Sequence, residues 1–204
     1  MKGNLYIISA PSGAGKTSLV RKVMEQRGNV CFSISHTTRD MRPGERDGFD
    51  YNFVDTKTFE TMVKDGAFIE YAQVFDNFYG TSHTSVEDQL AKGKDVVLDI
   101  DWQGARQIRA QLPHAINIFI LPPSKQALDD RLHARGQDSE EIIARRMQSA
   151  IQEMSHYNEY QYLIINDDFD TAVAELDAIM CSKHLTIEKQ SLHHQHIINE
   201  LLSG

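Results

Sequence analysis

The sequence predicts an α/β fold: a central parallel five-stranded sheet flanked by helices, with an inserted mixed α/β lobe and a helical lid. Three observations carry this. Short apolar runs alternate with helical periodicity, the pattern of a parallel sheet covered on both faces. The stretch Ser9-Ala10-Pro11-Ser12-Gly13-Ala14-Gly15-Lys16-Thr17-Ser18 follows directly on Leu5-Tyr6-Ile7-Ile8 and reads as strand, phosphate-binding loop and helix start. The segment from about 35 to 93 is turn-rich and aromatic and breaks the alternation, which marks it as an insertion.

In order along the chain, the glycine-bearing turn comes first. It lets successive backbone N–H groups point inward, and the following helix, carrying Leu19, Val20, Val23 and Met24, brings the positive end of its dipole to the same spot. A polyphosphate fits such a cradle, so Pro11, Ser12, Gly13, Ala14, Gly15, Lys16, Thr17 and Ser18 are candidate nucleoside-triphosphate contacts in a P-loop NTPase fold. Lys16 would reach the β- and γ-phosphates, and the Thr17 hydroxyl would take one Mg²⁺ position. Ala10 stands where the usual pattern begins with Gly, which is tolerable if its φ is negative.

Cys31–Ser35, Asp95–Ile100, Ala115–Leu121 and Tyr162–Ile165 supply the other strands. In the insertion, the turn Arg42–Gly48 leads into Tyr51–Val54, then a short helix around Phe59, Met62 and Val63 stopped by Gly66, with small antiparallel strands expected. Ser124 can cap a helix carrying Leu128 and Leu132, and Asp170 one carrying Val173, Leu176, Ile179 and Met180. The charged helical stretch 125–155, with Arg131, Arg135, Arg145 and Arg146, reads as a mobile cover. For Arg145 a surface pair with Glu141 is the plainer reading. Residues 186–204 read as one amphipathic helix, with Ile197, Ile198, Leu201 and Leu202 on one side, a candidate contact in a homo-oligomer.

Composition narrows the function. In 204 residues, 41% are apolar and 25% charged, ordinary for one soluble domain with inserted lobes. The net charge of -8 argues against nucleic acid or an anionic membrane as partner, since both require clustered Lys and Arg. Cys31 and Cys181 show no metal spacing, and no run approaches a membrane span or a secretory leader. A reducing, cytoplasmic setting is therefore expected.

Further pieces occur in a fixed order: Ser33-Ile34-Ser35-His36-Thr37-Thr38-Arg39 with Arg42-Pro43-Gly44-Glu45, Gly48-Phe49-Asp50-Tyr51-Asn52-Phe53, Phe68-Ile69-Glu70, Tyr79-Gly80-Thr81, Leu98-Asp99-Ile100-Asp101 with Gln103-Gly104, and Arg135-Gly136 with Arg146. On these residues the chain resembles guanylate kinase over about 3–184. The resemblance implies phosphorylation of GMP by ATP with Mg²⁺. It divides the chain into a P-loop core (1–34, 94–124 and 156–185), a GMP-binding lobe (35–93), a lid (125–155) and a C-terminal helix (186–204).

Guanine presents N1–H and N2–H₂ donors beside an O6 acceptor, and Glu70 and Ser35 stand at the family's positions for a carboxylate and a hydroxyl that match them. Arg39, Arg42, Tyr51 and Tyr79 match residues that hold the GMP phosphate, and Thr81 a small hydroxyl beside the base. Asp101 matches an acidic position that serves either the base or the outer shell of the magnesium. Lys16, Arg135 and Arg146 are implied catalytic charges, with Arg131 a further one. Asn166 and Asp167 match the place that meets the adenine of ATP. Whether dGMP is used is left open.

Three rival readings remain at this level. Guanylate-kinase-like scaffold modules keep the GMP lobe but lose the phosphate loop, which is intact here from Gly13 to Thr17. Asp101-Trp102-Gln103-Gly104 imitates a GTPase switch, yet no N-K-x-D guanine reader accompanies it. A small-molecule kinase acting on a hydroxyl would leave Ser35, Glu70, Arg39 and Arg42 unexplained.

Overall fold

The computed structural model describes residues 2–134 and 139–203. Five parallel strands form the core sheet: β1 (Leu5–Ser9), β2 (Val30–Phe32), β7 (Asp95–Asp99), β8 (Ile116–Leu121) and β9 (Tyr162–Ile165), in the order β2-β7-β1-β8-β9. Alternation along the strands sorts the core into two layers. Tyr6, Ile8, Val97, Ile118 and Ile120 pack under helices α1 (Lys16–Gln26) and α7 (Phe169–His184), through Leu19, Val20, Val23, Val173 and Leu176. Ile7, Val96 and Leu98 face the other way, onto α3 (His83–Ala91) and α4 (Trp102–Gln111), through Val86, Leu90, Ala105 and Ile108.

The inserted lobe carries a second sheet of β3 (His36–Thr37), β4 (Asn52–Phe53), β5 (Phe68–Val74) and β6 (Asn77–Ser82), in the order β4-β3-β6-β5, with helix α2 (Thr56–Lys64) packed beside it. Its sheet is mixed, not purely antiparallel as expected, because β4 runs parallel to β3. The long turn 38–51 brings the chain back in the same direction. Phe59 of α2 is stacked between Phe68 (4.7 Å) and Phe78 (5.6 Å) and forms the lobe's own core. The stretch expected to form the lid is a helical pair, α5 (Lys125–Ala134) and α6 (Glu140–Met154), joined by Leu128, Leu132, Ile143 and Ala150.

Three local expectations change. The strand read as Cys31–Ser35 ends at Phe32, since Ser33–Ser35 turn toward the lobe. The cap of α7 is Asp168, whose carboxylate accepts the Thr171 N–H at 2.8 Å, and Asp170 lies in the first turn. The tail is two helices, α8 (Ile187–His193) and α9 (Gln195–Leu202), broken at His194, whose ψ of 21° leaves the helical region. The Ser124 cap on α5 stands as read, accepting the Ala127 N–H at 3.0 Å.

Because Phe59 belongs to the lobe and not to the parallel sheet, Phe59→Ala is expected to cost about 3–5 kcal/mol locally. Hydrogen exchange is the check: amides of residues 68–82 should lose protection while those of β1, β7 and β8 keep theirs. Equal loss throughout would contradict a separate lobe core.

Candidate active site

Between core, lobe and lid lies a cleft of about 320 Å³. One end is the phosphate loop. Gly13 and Gly15 both adopt positive φ (94° and 92°), the left-handed conformation glycine alone adopts cheaply. Neither could gain a side chain: a Cβ at Gly15 would lie 2.4 Å from Asn166 Nδ2, and one at Gly13 would lie 3.0 Å from Leu128 of the lid. Gly15 offers α1 no side-chain cap, so the first-turn N–H groups are left for an anion. Ala10 is not among the residues with positive φ, which meets the condition for its replacing glycine.

Two residues brace this loop from behind. Asn166, nearly buried at the end of β9, donates from Nδ2 to the Ala14 carbonyl at 2.7 Å. Arg131 of α5 donates to the Asn166 carbonyl at 2.9 Å and to that of Ala14 at 3.4 Å. At the cleft floor, Asp99 closes β7; it pairs with the Lys16 ammonium and accepts the Thr17 hydroxyl at 3.1 Å. Asp99 was not singled out in the sequence, although an aspartate ending the strand beside the loop strand was a visible signal. Glu153, in the last turn of α6, is likewise a new member. Burial raises its pKa, opposed by the Lys16 charge and by a hydrogen bond from the Ser12 N–H.

Glu70 dominates the other end. A register shift between Phe68 and Glu70 leaves Ile69 as an extra residue, so Phe68 pairs with Ser82 while Glu70 pairs with Thr81. That bulge turns Glu70 onto the same face as Thr81 and Tyr79, away from Phe68. Thr81 Oγ1 donates to Glu70 Oε1 at 2.6 Å, and Ser35 Oγ lies 3.4 Å from Thr81 Oγ1. Helix α4 seals the back. Gln107 exchanges two hydrogen bonds with the Tyr71 backbone, Gln111 donates to the Ile69 carbonyl, and a Cβ on Gly104 would stand 2.6 Å from Glu70 Oε2.

Asp101 caps α4, accepting the Gly104 N–H at 2.9 Å and the Gln103 amide at 3.1 Å. The spacing that imitates a GTPase switch is thus a helix start whose carboxylate also lines the cleft. Beside Glu70, Tyr51 and Tyr79 meet edge to face at 6.0 Å, and the Arg39 guanidinium lies 5.5 Å from the Tyr51 ring centre. Glu45 holds Arg39 through both carboxylate oxygens, at 2.7 and 2.9 Å, and accepts the Arg42 N–H.

The cleft therefore gathers Pro11 through Ser18, Ser35, Tyr51, Glu70, Tyr79 and Asp101. Thr81 is buried behind Glu70, Arg42 is exposed on the adjoining turn, Asp167 is exposed after β9, and Arg146 is half-buried on α6. Arg135 lies outside the described residues. His36, read as a hydrogen-bonded spectator in the guanine loop, packs edge-on against Phe68 at 5.5 Å with Nδ1 buried and unpartnered.

Burial pushes the Glu70 carboxyl up to about 7, opposed by the Thr81 hydrogen bond and reinforced by the nearby Asp101 charge. Folding therefore favours the protonated form. The associated stability is present below the ordinary value near 4.5 and is lost as the pH climbs through about 7. By pH 8 the ionised carboxylate costs about 3 kcal/mol. Glu70→Gln is expected to raise Tm at pH 8 and to change it little at pH 5. An equal change at both would contradict a desolvated carboxylate.

Comparison with known proteins agrees with this geometry. The family description that matches, guanylate kinase, covers residues 2–183. The guanylate kinase of Methylococcus capsulatus is 56% identical over 201 residues, covering 98% of each chain, and that of Vibrio vulnificus is 55% identical over 204 residues, covering 99% of each. The crystal structure of guanylate kinase from Anaplasma phagocytophilum superposes with a TM-score of 0.76 at 33% identity, over 91% of this chain and 88% of that one. The phosphate loop, the bulge-turned carboxylate and the full-length likeness lead to one statement: this chain belongs to the guanylate kinase family.

Proposed function

We infer that this cleft transfers the γ-phosphate of ATP to GMP, giving ADP and GDP. One observation carries the reading: a single cavity is lined at one end by the phosphate loop and at the other by Ser35, Glu70 and Tyr79. A triphosphate tail and a purine monophosphate would meet inside it. The intact loop disfavours a scaffold without catalysis.

We assign guanine to Glu70 and Ser35. The N1–H and N2–H₂ donors of guanine would bind the ionised carboxylate and offset its burial, while Ser35 donates to O6. Adenine would set an N1 lone pair against the same carboxylate, and a site left with unpaired polar groups rejects such an analogue by roughly 10⁴-fold. Thr81 would act through Glu70, fixing the carboxylate by its 2.6 Å hydrogen bond. Arg39, Arg42, Tyr51 and Tyr79 suit the dianionic phosphate, with Arg39 exchanging its Glu45 partner for it. Asp101, already committed to capping α4, would border the base by charge. At the far end, Asn166 would support ATP by bracing the loop, and Asp167, exposed just after β9, would meet the adenine.

Guanylate kinases as a class use Mg²⁺ with ATP. The Thr17 hydroxyl and Asp99 carboxylate, 3.1 Å apart, are the hard oxygens such an ion requires, so these two would hold it. Bound there, it supplies positive charge to the triphosphate oxygens. The attacking atom is a GMP phosphate oxygen, largely ionised at neutral pH because its second pKa is near 6, so no protein base is needed. That oxygen bonds to the γ-phosphorus as the bond to the β,γ-bridging oxygen breaks, and ADP leaves with the electron pair. Lys16 and Arg146, with Arg135 beyond the described residues, would carry the charge that stabilises those oxygens. Closure of lobe and lid would keep water from intercepting the phosphoryl group.

The test is ADP formation from ATP, Mg²⁺ and GMP. Lys16→Ala should lower kcat by roughly 10²-fold or more. Gly104→Ala should raise the GMP KM by roughly tenfold while leaving the ATP KM unchanged, although alanine is the better helix former. The GMP KM should fall from pH 6 to pH 8 more steeply in the wild type than in Glu70→Gln, since only the ionised carboxylate accepts guanine. No GMP-dependent ADP formation, or equal pH slopes, would contradict the assignment.

A further inference from the structure

The β5–β6 hairpin turns over two residues, Phe75 and Asp76, between the paired Val74 and Asn77. Phe75 has φ 54° and is the one non-glycine residue with positive φ among the described residues. Tight hairpin tips select Gly, Asn or Asp for this conformation, and a bulky residue there carries strain. Phe75 is also 46% exposed, so packing within its own lobe does not explain the choice. What it reaches is the lid: the Arg145 guanidinium of α6 lies 5.3 Å from the Phe75 ring centre. Arg145 is therefore not the surface ion pair that the sequence suggested. Phe75 and Glu153 line both the substrate cleft and an adjoining cavity of about 220 Å³, so the contact sits where lobe and lid meet at the cleft.

We propose that Phe75 and Arg145 are positioning residues for phosphoryl transfer, a latch that holds the guanine-binding lobe and the lid together while neither side chain takes part in the chemistry. The proposal rests on the kinase reading above. Guanine is fixed on β5, four residues of strand away from the tip, and the lid's arginines are on α6. In-line transfer requires both bodies to arrive together. A cation over an aromatic face joins them without burying a charge and separates readily for product release. A glycine at this tip would relieve the strain but leave Arg145 nothing to meet.

The experiment compares wild type, Phe75→Gly, Arg145→Gln, the double variant, and the conservative Phe75→Tyr and Arg145→Lys. Phe75→Gly should raise Tm by relieving the backbone, yet lower kcat roughly two- to tenfold and raise the ratio of ATP hydrolysis to GDP formation. Arg145→Gln, a surface change, should do the same to kcat with no change in Tm. The double variant should be no worse than either single one, and the conservative pair should restore most of the rate. Donor and acceptor dyes on exposed Glu60 and Gln148 should report a shorter lobe-to-lid distance with ATP and GMP in wild type than in either variant. Wild-type kcat, hydrolysis ratio and dye distance in both single variants, or losses that multiply in the double variant, would overturn the latch. Wild-type turnover tests the kinase reading by itself, and the dye distance reads the latch without it.

Discussion

A carboxylate kept out of water is the constraint on which the site depends. Glu70 is 3% exposed, and its surroundings give it one hydroxyl donor, Thr81, where an ionised carboxylate has room for several. Everything near it serves that arrangement. The bulge at Ile69 turns it inward, the glutamines of α4 hold its strand, and the missing side chain at Gly104 leaves room for its second oxygen. Such a group is a standing cost to the fold and waits for donors. In the assignment proposed above, the N1–H and N2–H₂ of guanine, on two nitrogens that share C2, would supply them, and the stability given up at this position would be returned as discrimination.

The opposite end follows the same logic with the sign reversed. The loop between β1 and α1 presents N–H donors and a lysine, and the chain sets carboxylates of its own beside them. Asp99 lies against Lys16 and Thr17, and Glu153 lines the same cleft. Arg131 and Asn166 clamp the carbonyls that face away, which keeps the N–H groups converging. Acidic residues thus hold a basic cradle in shape, and a triphosphate would have to displace or recruit them.

Much of this is legible in the amino-acid sequence alone. The glycine turn after an apolar run marks the loop, and continuous apolar runs mark β1, β7, β8 and β9 almost to the residue, because buried parallel strands leave an uninterrupted apolar signature. What escaped depended on tertiary geometry. A bulge is not visible in Phe68-Ile69-Glu70, so the direction in which Glu70 points could not be read from spacing. The parallel pairing of β4 depends on how a long turn returns, and the break at His194 on local backbone angles. Arg145 looked like a helix-surface charge because its partner, Phe75, lies seventy positions away in the chain. Spacing also does not show that the buried Asn166 amide braces the phosphate loop, in addition to standing where adenine is expected.

The account stands on the match between a purine's hydrogen-bonding edge and one desolvated carboxylate, and the most direct measurement is kcat/KM for GMP, IMP and AMP under identical conditions. IMP keeps N1–H and O6 but lacks the N2 amino group; AMP reverses the edge. The expected order is GMP, then IMP lower by roughly 10²-fold, then AMP lower by roughly 10⁴-fold. Comparable values for GMP and AMP would contradict it.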